Sequence, residues 1–341
     1  MSRFHELLAE RDWLLADGAT GTNYFHMGLQ SGDAPELWNI DHPDRVRSLH
    51  RSFIAAGSDI VLTNSFGCNR YRLKLHAAED RVAELNGAAA RNARAEADAV
   101  DRPVLVAGSM GPTGEIYAPV GPLDEADGAA AFAEQAQALA DGGADLLWIE
   151  TISSCEELRA AVSGAAVAGL PIVVTMSFDT NGRTMMGLTP EDFAGIASGL
   201  EPVPAAIGAN CGTGAAELVV AVLAIAAAAP GAVVVAKGNC GIPRYVDGHV
   251  HYTGTPEVMA DYARLALDAG ARIIGGCCGT SPEHLAAMHA ALSAHERGPR
   301  PSVETIVERL GEVSALSRGE APPSRAGGER RRRRPARSPA R

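Results

Sequence analysis

No apolar run in this chain approaches the roughly 18 to 20 residues that a membrane-spanning helix requires, so no spanning segment is expected. An apolar leader is missing as well: the opening MSRFHELLAERDW carries charge throughout. Both absences point to a cytoplasmic protein with no membrane partner. Positive charge is in short supply, with 30 Lys and Arg against 41 Asp and Glu and a net charge of −11. The shortage is uneven. From Pro322 onward eight arginines oppose the single Glu329, which gives that stretch +7 and leaves −18 on the residues before it. So acidic a body argues against nucleic acid as the main partner. The run GGERRRRRPARSPAR has no apolar periodicity and reads as a disordered, Arg-rich tail over residues 322–341. Cysteine is scarce too. Six residues, irregularly spaced, are too few for a disulfide framework, and in a reducing compartment clustered cysteines point to metal or catalysis. Cys68, Cys155 and Cys240 stand alone and read as small buried hydrophobes.

What the chain does contain is a repeated pattern. Short apolar runs are followed by small or polar residues and then by alanine-rich stretches of helical periodicity. The runs are WLLADGATGT, DIVLTNSFG, VLVAGSMGPTGE, LLWIETIS, IVVTMSFD, AAIGANCG, VVVAKGN and RIIGGCCGT. Continuous β-branched runs suit strands buried on both faces of a parallel sheet. Eight of them alternating with helices predict an α/β fold: a single (β/α)8 TIM barrel over residues 1–298. A helical appendage over residues 299–321, with its helix near Val303 to Leu316, would follow. Two connections, HMGLQSGDAPELWNIDHP and GIPRYVDGHVHYTGTPE, exceed the usual length and read as loops covering a substrate.

Reactive groups of such a barrel collect where its strands end. Here the runs end in Asp17, Asn64, Ser109, Glu150, Ser177, Cys211, Asn239 and the adjacent Cys277 and Cys278. If Cys211 ends one strand and the pair ends another, three thiolates face one point at the barrel mouth. Three sulfur ligands with a fourth position open suit Zn2+ in a catalytic role. Three thiolates leave that ion with net charge −1, poorly matched to activating water but well matched to deprotonating a substrate thiol. A bare vicinal pair also admits a redox couple or thiols buried for packing. Asp17, in DGATGT, and Glu150, in WIETIS, add acidic groups on the same face, and the glycine-lined backbone beside Asp17 offers amides. Together these suit an amino-acid substrate.

Six segments, DGATGT, LTNSFG, GSMGPTGE, IETIS, GANCGTG and GGCCGTSPEH, make the chain from about Trp13 to Ala291 resemble the zinc-dependent homocysteine S-methyltransferases. That family includes betaine–homocysteine methyltransferases and the homocysteine-binding module of cobalamin-dependent methionine synthase. The resemblance implies that Cys211, Cys277 and Cys278 bind zinc, with the homocysteine sulfur in the open position. It implies that Asp17 and Glu150 hold the ammonium group and the Gly18 and Ala19 amides the carboxylate. Asn239 sits where some members have a residue able to approach the metal when substrate is absent. For the donor, an onium compound such as betaine calls for an aromatic cage. Trp38, Tyr71 and Tyr245 are the first candidates, with Tyr24, Trp148 and Tyr252 also available. Animal betaine enzymes carry aromatics where this chain has Gly67 and Thr151. Betaine or a related small onium compound is the expected donor, with S-methylmethionine or a methylcorrinoid on a separate partner protein as alternatives. A homo-oligomer is left open. Readings of another class are a vicinal-thiol redox or metal sensor, and a protein recruited to nucleic acid through its tail.

Overall fold

Buried β-branched and small residues turn the eight runs into parallel strands, because both faces of each are covered. The computed structural model describes residues 2–320 apart from 242, 247 and 248; the side chains of 243–246 and 249–251 lie outside that description, as do residues 321–341. The strands are β1 (Leu14–Leu15), β2 (Ile60–Leu62), β3 (Leu105–Met110), β4 (Leu146–Ile152), β5 (Ile172–Met176), β6 (Ala206–Cys211) and β7 (Val234–Gly238). A hairpin of β8 (Pro243–Val246) and β9 (His249–Tyr252) precedes the last barrel strand, β10 (Ala271–Gly276). The sheet runs β1-β10-β7-β6-β5-β4-β3-β2, and a parallel bridge from Ala16 to Ile60 closes it between β1 and β2. The barrel expected from the sequence is present.

Alternation along the strands sorts their side chains into two cores. Leu14, Ile60, Leu105, Leu146, Trp148, Val173, Val235 and Ile273 fill the barrel interior. Phe4, Leu7 and Leu8 of the helix Arg3–Glu10 belong to the same cluster and plug its N-terminal end. The outward set, including Leu147, Ile149, Val174, Ile207 and Ile274, packs on the helices. Capping follows local chemistry. Thr255 accepts from the Val258 amide at the start of the helix Pro256–Ala269, and Gly270 ends it with φ 116°.

Beyond the barrel a helix spans Val303–Leu310, shorter than the Val303 to Leu316 expected, because Gly311 at φ 105° terminates it. Its Ile306 is buried. The following segment docks through Ser314 and Ser317, both bonded to the Glu217 carboxylate. The Arg-rich tail and the Tyr245 side chain lie outside the described residues. Among those described, no helix is long and apolar enough to cross a membrane.

Candidate active site

The GANCG and GGCCG segments bring three thiols together at the mouth. The sulfurs of Cys211, Cys277 and Cys278 all lie within 4.8 Å of one another. Cys211 ends β6 with φ 56°, a left-handed conformation rare for a residue with a Cβ. Its Sγ stands 2.8 Å from that of Cys277 in a thiol hydrogen bond. Cys277 extends the β10–β7 ladder by donating its amide to the Gly238 carbonyl at 2.6 Å. Asn239 joins the two strand ends: its Oδ1 accepts from the Cys278 amide at 3.0 Å and its Nδ2 donates to the Gly212 carbonyl at 2.7 Å. Within the trio, hydrogen bonds from Cys211, Cys277 and the Tyr252 phenol hold Cys278 well below the usual thiol range. Hydrogen bonds to Cys277 and Cys278, with burial, push Cys211 up.

This donor set fits a thiophilic cation. Zn–S bonds of about 2.3 Å in a tetrahedron put sulfurs roughly 3.8 Å apart. An ion would therefore widen the Cys211–Cys277 pair while remaining inside the span of the three. Cys240 is not part of the trio; it is buried, and its thiol donates to the Gly254 carbonyl at 3.4 Å.

Beside the thiols lies a buried charge cluster. Asp17 is 1 % exposed and Lys237 3 %, with Nζ 3.5 Å from Oδ1. Asp17 Oδ2 accepts the Leu62 amide at 2.8 Å, whereas Oδ1 is buried with no hydrogen-bond partner among the described residues. Burial raises the Asp17 carboxyl to about 7, against the opposing pull of Lys237 and the Leu62 amide. Glu150 Oε1 accepts from the Ser109 hydroxyl at 2.6 Å, and burial raises this carboxyl too. Burial alone would depress Lys237, but the charges of Asp17, Cys277, Glu150 and Cys211 outweigh it and leave its pKa raised. The thiols, both carboxylates and this ammonium thus form one electrostatic unit, acidic in balance, in which the Lys237 ammonium is the ionic neighbour of Asp17 Oδ1.

The amides named for a carboxylate differ from each other. Ala19 donates to the Thr280 carbonyl at 3.0 Å and is already committed. Gly18 runs so close to the same carbonyl that a Cβ would sit 2.6 Å from it, so glycine is required there. The candidate cage aromatics are dispersed. Trp38 is buried against Tyr24 at 5.3 Å, and the Arg45 guanidinium covers its ring at 4.9 Å. Tyr71 packs with Tyr117 and Leu123 in a separate cluster, and Trp148 lies inside the barrel. Tyr252, from β9, is the aromatic that meets the thiols; its ring covers Gly279. The missing side chain at Gly67 has a local cause: a Cβ there would sit 2.6 Å from the Glu36 carboxylate, which accepts the Gly67 amide at 2.7 Å.

Lys237 and Asn210 were not singled out in the sequence. Lys237 had a signal, a lone charge inside the apolar run VVVAKGN; Asn210 had only its place before Cys211.

A family model described as homocysteine S-methyltransferase matches residues 14–292. The methionine synthase of Mycobacterium leprae (strain TN) is 31% identical over 328 residues, covering 91% of this chain and 27% of that protein. The methionine synthase of Mycobacterium tuberculosis (strain ATCC 25618 / H37Rv) is 31% identical over 315 residues, covering 86% and 26%. The chain spans about a quarter of the length of these curated relatives. Among solved structures, the oxidised form of the homocysteine methyltransferase MmuM from Escherichia coli superposes with a TM-score of 0.70 at 26% identity, over 84% of this chain and 98% of that one. Its metallated form gives 0.68 at 26% identity, over 84% and 99%.

Proposed function

The chain belongs to the homocysteine S-methyltransferase family, and from that premise we propose that it is a zinc-dependent enzyme making methionine from homocysteine and a small onium donor, betaine or a relative. One observation carries the reading: Cys211, Cys277 and Cys278 converge within 4.8 Å beside a buried carboxylate whose Oδ1 has no hydrogen-bond partner among the described residues. The three thiols would hold the ion, which when bound would draw the proton from an incoming thiol and keep its sulfur nucleophilic near neutral pH.

The protein's own groups do the rest. Asp17 and Glu150 bind the substrate ammonium, and Lys237 partly offsets the cost of ionising the buried Asp17. Ser109 orients Glu150, while the Gly18 amide is left for the substrate carboxylate once Ala19 is committed to Thr280. Asn239 ties the Gly212 carbonyl to the Cys278 amide and is the residue assigned here as a transient ligand. With the acceptor so held, its thiolate attacks the methyl carbon in line. The bond to the donor breaks, and its electron pair leaves with the donor. The acidic balance of the site favours a cationic donor, whose departure as a neutral molecule needs no general acid. Catalysis then rests on thiolate generation and orientation. The three thiols require a reducing compartment, which suits the cytoplasm.

A second reading, methyl arriving on a corrinoid carried by a partner protein, is favoured by the 31% identity to methionine synthases. A donor panel separates the two. Protein loaded with zinc and homocysteine is offered betaine, dimethylsulfonio compounds, S-methylmethionine and methylcobalamin, and methionine is measured. Product from an onium donor supports the first reading, and product from methylcobalamin alone the second. No methionine from any donor, with or without cell extract, overturns both.

A further inference from the structure

Two backbone outliers stand at the ends of one side-chain clamp. Thr151, directly after Glu150, has φ 65°, and Cys211 has φ 56°. A left-handed backbone is uncommon for any residue with a Cβ and a genuine outlier for a β-branched one. Thr151 lies where β4 slips register against β5, between Ile149 and Ile152. Glu150 and Thr151 together oppose the single Thr175 there, the two-against-one pattern of a bulge, a device by which strands re-aim a neighbouring side chain.

What keeps Thr151 there is Asn210. The Thr151 amide donates to Asn210 Oδ1 at 2.9 Å, and Asn210 Nδ2 donates to Thr151 Oγ1 at 2.8 Å. Asn210 is fully buried, sits immediately before Cys211 on β6, and reaches past β5 to make both bonds. Only a side-chain amide presents an acceptor and a two-proton donor in one plane at this length. Strained residues persist where their surroundings over-determine them, and here the surroundings are a single buried amide.

We propose that Asn210 is a positioning residue: by clamping Thr151 in its left-handed conformation it directs the Glu150 carboxylate into the pocket and fixes its distance from the sulfur site at Cys211. The inference rests on the reading of Glu150 as an anchor for the substrate ammonium. Three carbons join the ammonium and the sulfur of homocysteine and bound their separation, so both ends of the pocket must stay within that reach for it to bind.

The test uses zinc-loaded full-length protein and homocysteine titrated by calorimetry without a methyl donor, with turnover and zinc content measured alongside. Asn210→Ala is expected to weaken homocysteine binding roughly tenfold, the scale of freeing one strained residue, with zinc retained and kcat within about threefold. Adding Thr151→Gly to Asn210→Ala is expected to recover most of that affinity, since glycine takes a positive φ without steric cost. Unchanged binding in Asn210→Ala, or no recovery in the double variant, overturns the proposal. Loss of zinc also overturns it, because Asn210 would then serve Cys211 rather than Glu150. Should Asn210→Ala fail to fold, Thr151→Ala removes only the Nδ2 bond and is expected to weaken binding about threefold; unchanged binding there is equally contrary. Failure of the family reading looks different, since the wild-type protein itself would then not bind homocysteine.

Discussion

At the mouth of the barrel, one set of groups is carried by strands and another by loops. Ser109, Glu150, Cys211 and Lys237 lie on β3, β4, β6 and β7, and Asp17, Cys277 and Cys278 follow β1 and β10 by one or two positions. Glu36, Trp38 and Tyr71 come instead from connections after β1 and β2. Strand register fixes the first set, so the thiols and carboxylates meet at one end of the sheet. The second set is consumed by packing: Arg45 covers Trp38, and Glu36 fills the space at Gly67. In the proposed reaction the accepting half is thus carried by the sheet. The donor half depends on how loops pack, which is where relatives on one barrel can differ in chemistry.

The contrast can be broken most severely at the thiols. Cys211→Ala should lower methionine formation by roughly a thousandfold or more and abolish zinc binding, because two sulfurs cannot hold the ion for this chemistry. Metal analysis and turnover on the same sample check both. Next comes the buried ion pair. Lys237→Met should cost about 3 to 5 kcal/mol in urea unfolding at pH 8, since it strands the Asp17 carboxylate without a partner. Lys237→Met combined with Asp17→Asn should recover much of that loss. If the single variant is as stable as wild type, the strand-borne set is not the electrostatic unit described above.

A pH titration sharpens the same point. The native Asp17 carboxyl, at about 7, is raised from its ordinary 3.8 by burial, so the folded state holds that proton more tightly than the unfolded chain. Its stabilising contribution is complete below about pH 4 and lost as pH rises through about 7, on the order of 4 kcal/mol. Thermal unfolding across that window should show the decline, and Asp17→Asn should flatten it. The smallest effect belongs to the loops. Gly67→Ala drives a Cβ against the Glu36 carboxylate and should cost about 1 to 2 kcal/mol. It should raise the donor KM while leaving homocysteine affinity unchanged; equal effects on both would erase the distinction between the two halves.

The same division governs what could be read from the amino-acid sequence. The eight apolar runs are local patterns, and each became a barrel strand with its reactive residue at the expected end. The three thiols were legible because strand ends are countable and glycines mark close approach. A charge within a buried run such as Lys237 reads as an irregularity until its acidic neighbours, Asp17 and Glu150 among them, are in view. The bond between Asn210 and Thr151 joins residues 59 apart in sequence, and no local pattern announces it. Only residue type points to the donor aromatics, and type does not say that Arg45 will cover one and that Trp148 will point into the barrel. Tyr252 reached the thiols because the loop before β10 folds into a hairpin, a feature hidden in a stretch rich in Gly and Pro.

Zinc X-ray absorption on the loaded protein, recorded before and after homocysteine is added, bears most directly on whether distant sulfurs share one cation with a place for the substrate. Three sulfur neighbours at about 2.3 Å rising to four on addition is the outcome expected. Fewer than three protein sulfurs, or a shell unmoved by homocysteine, would contradict it.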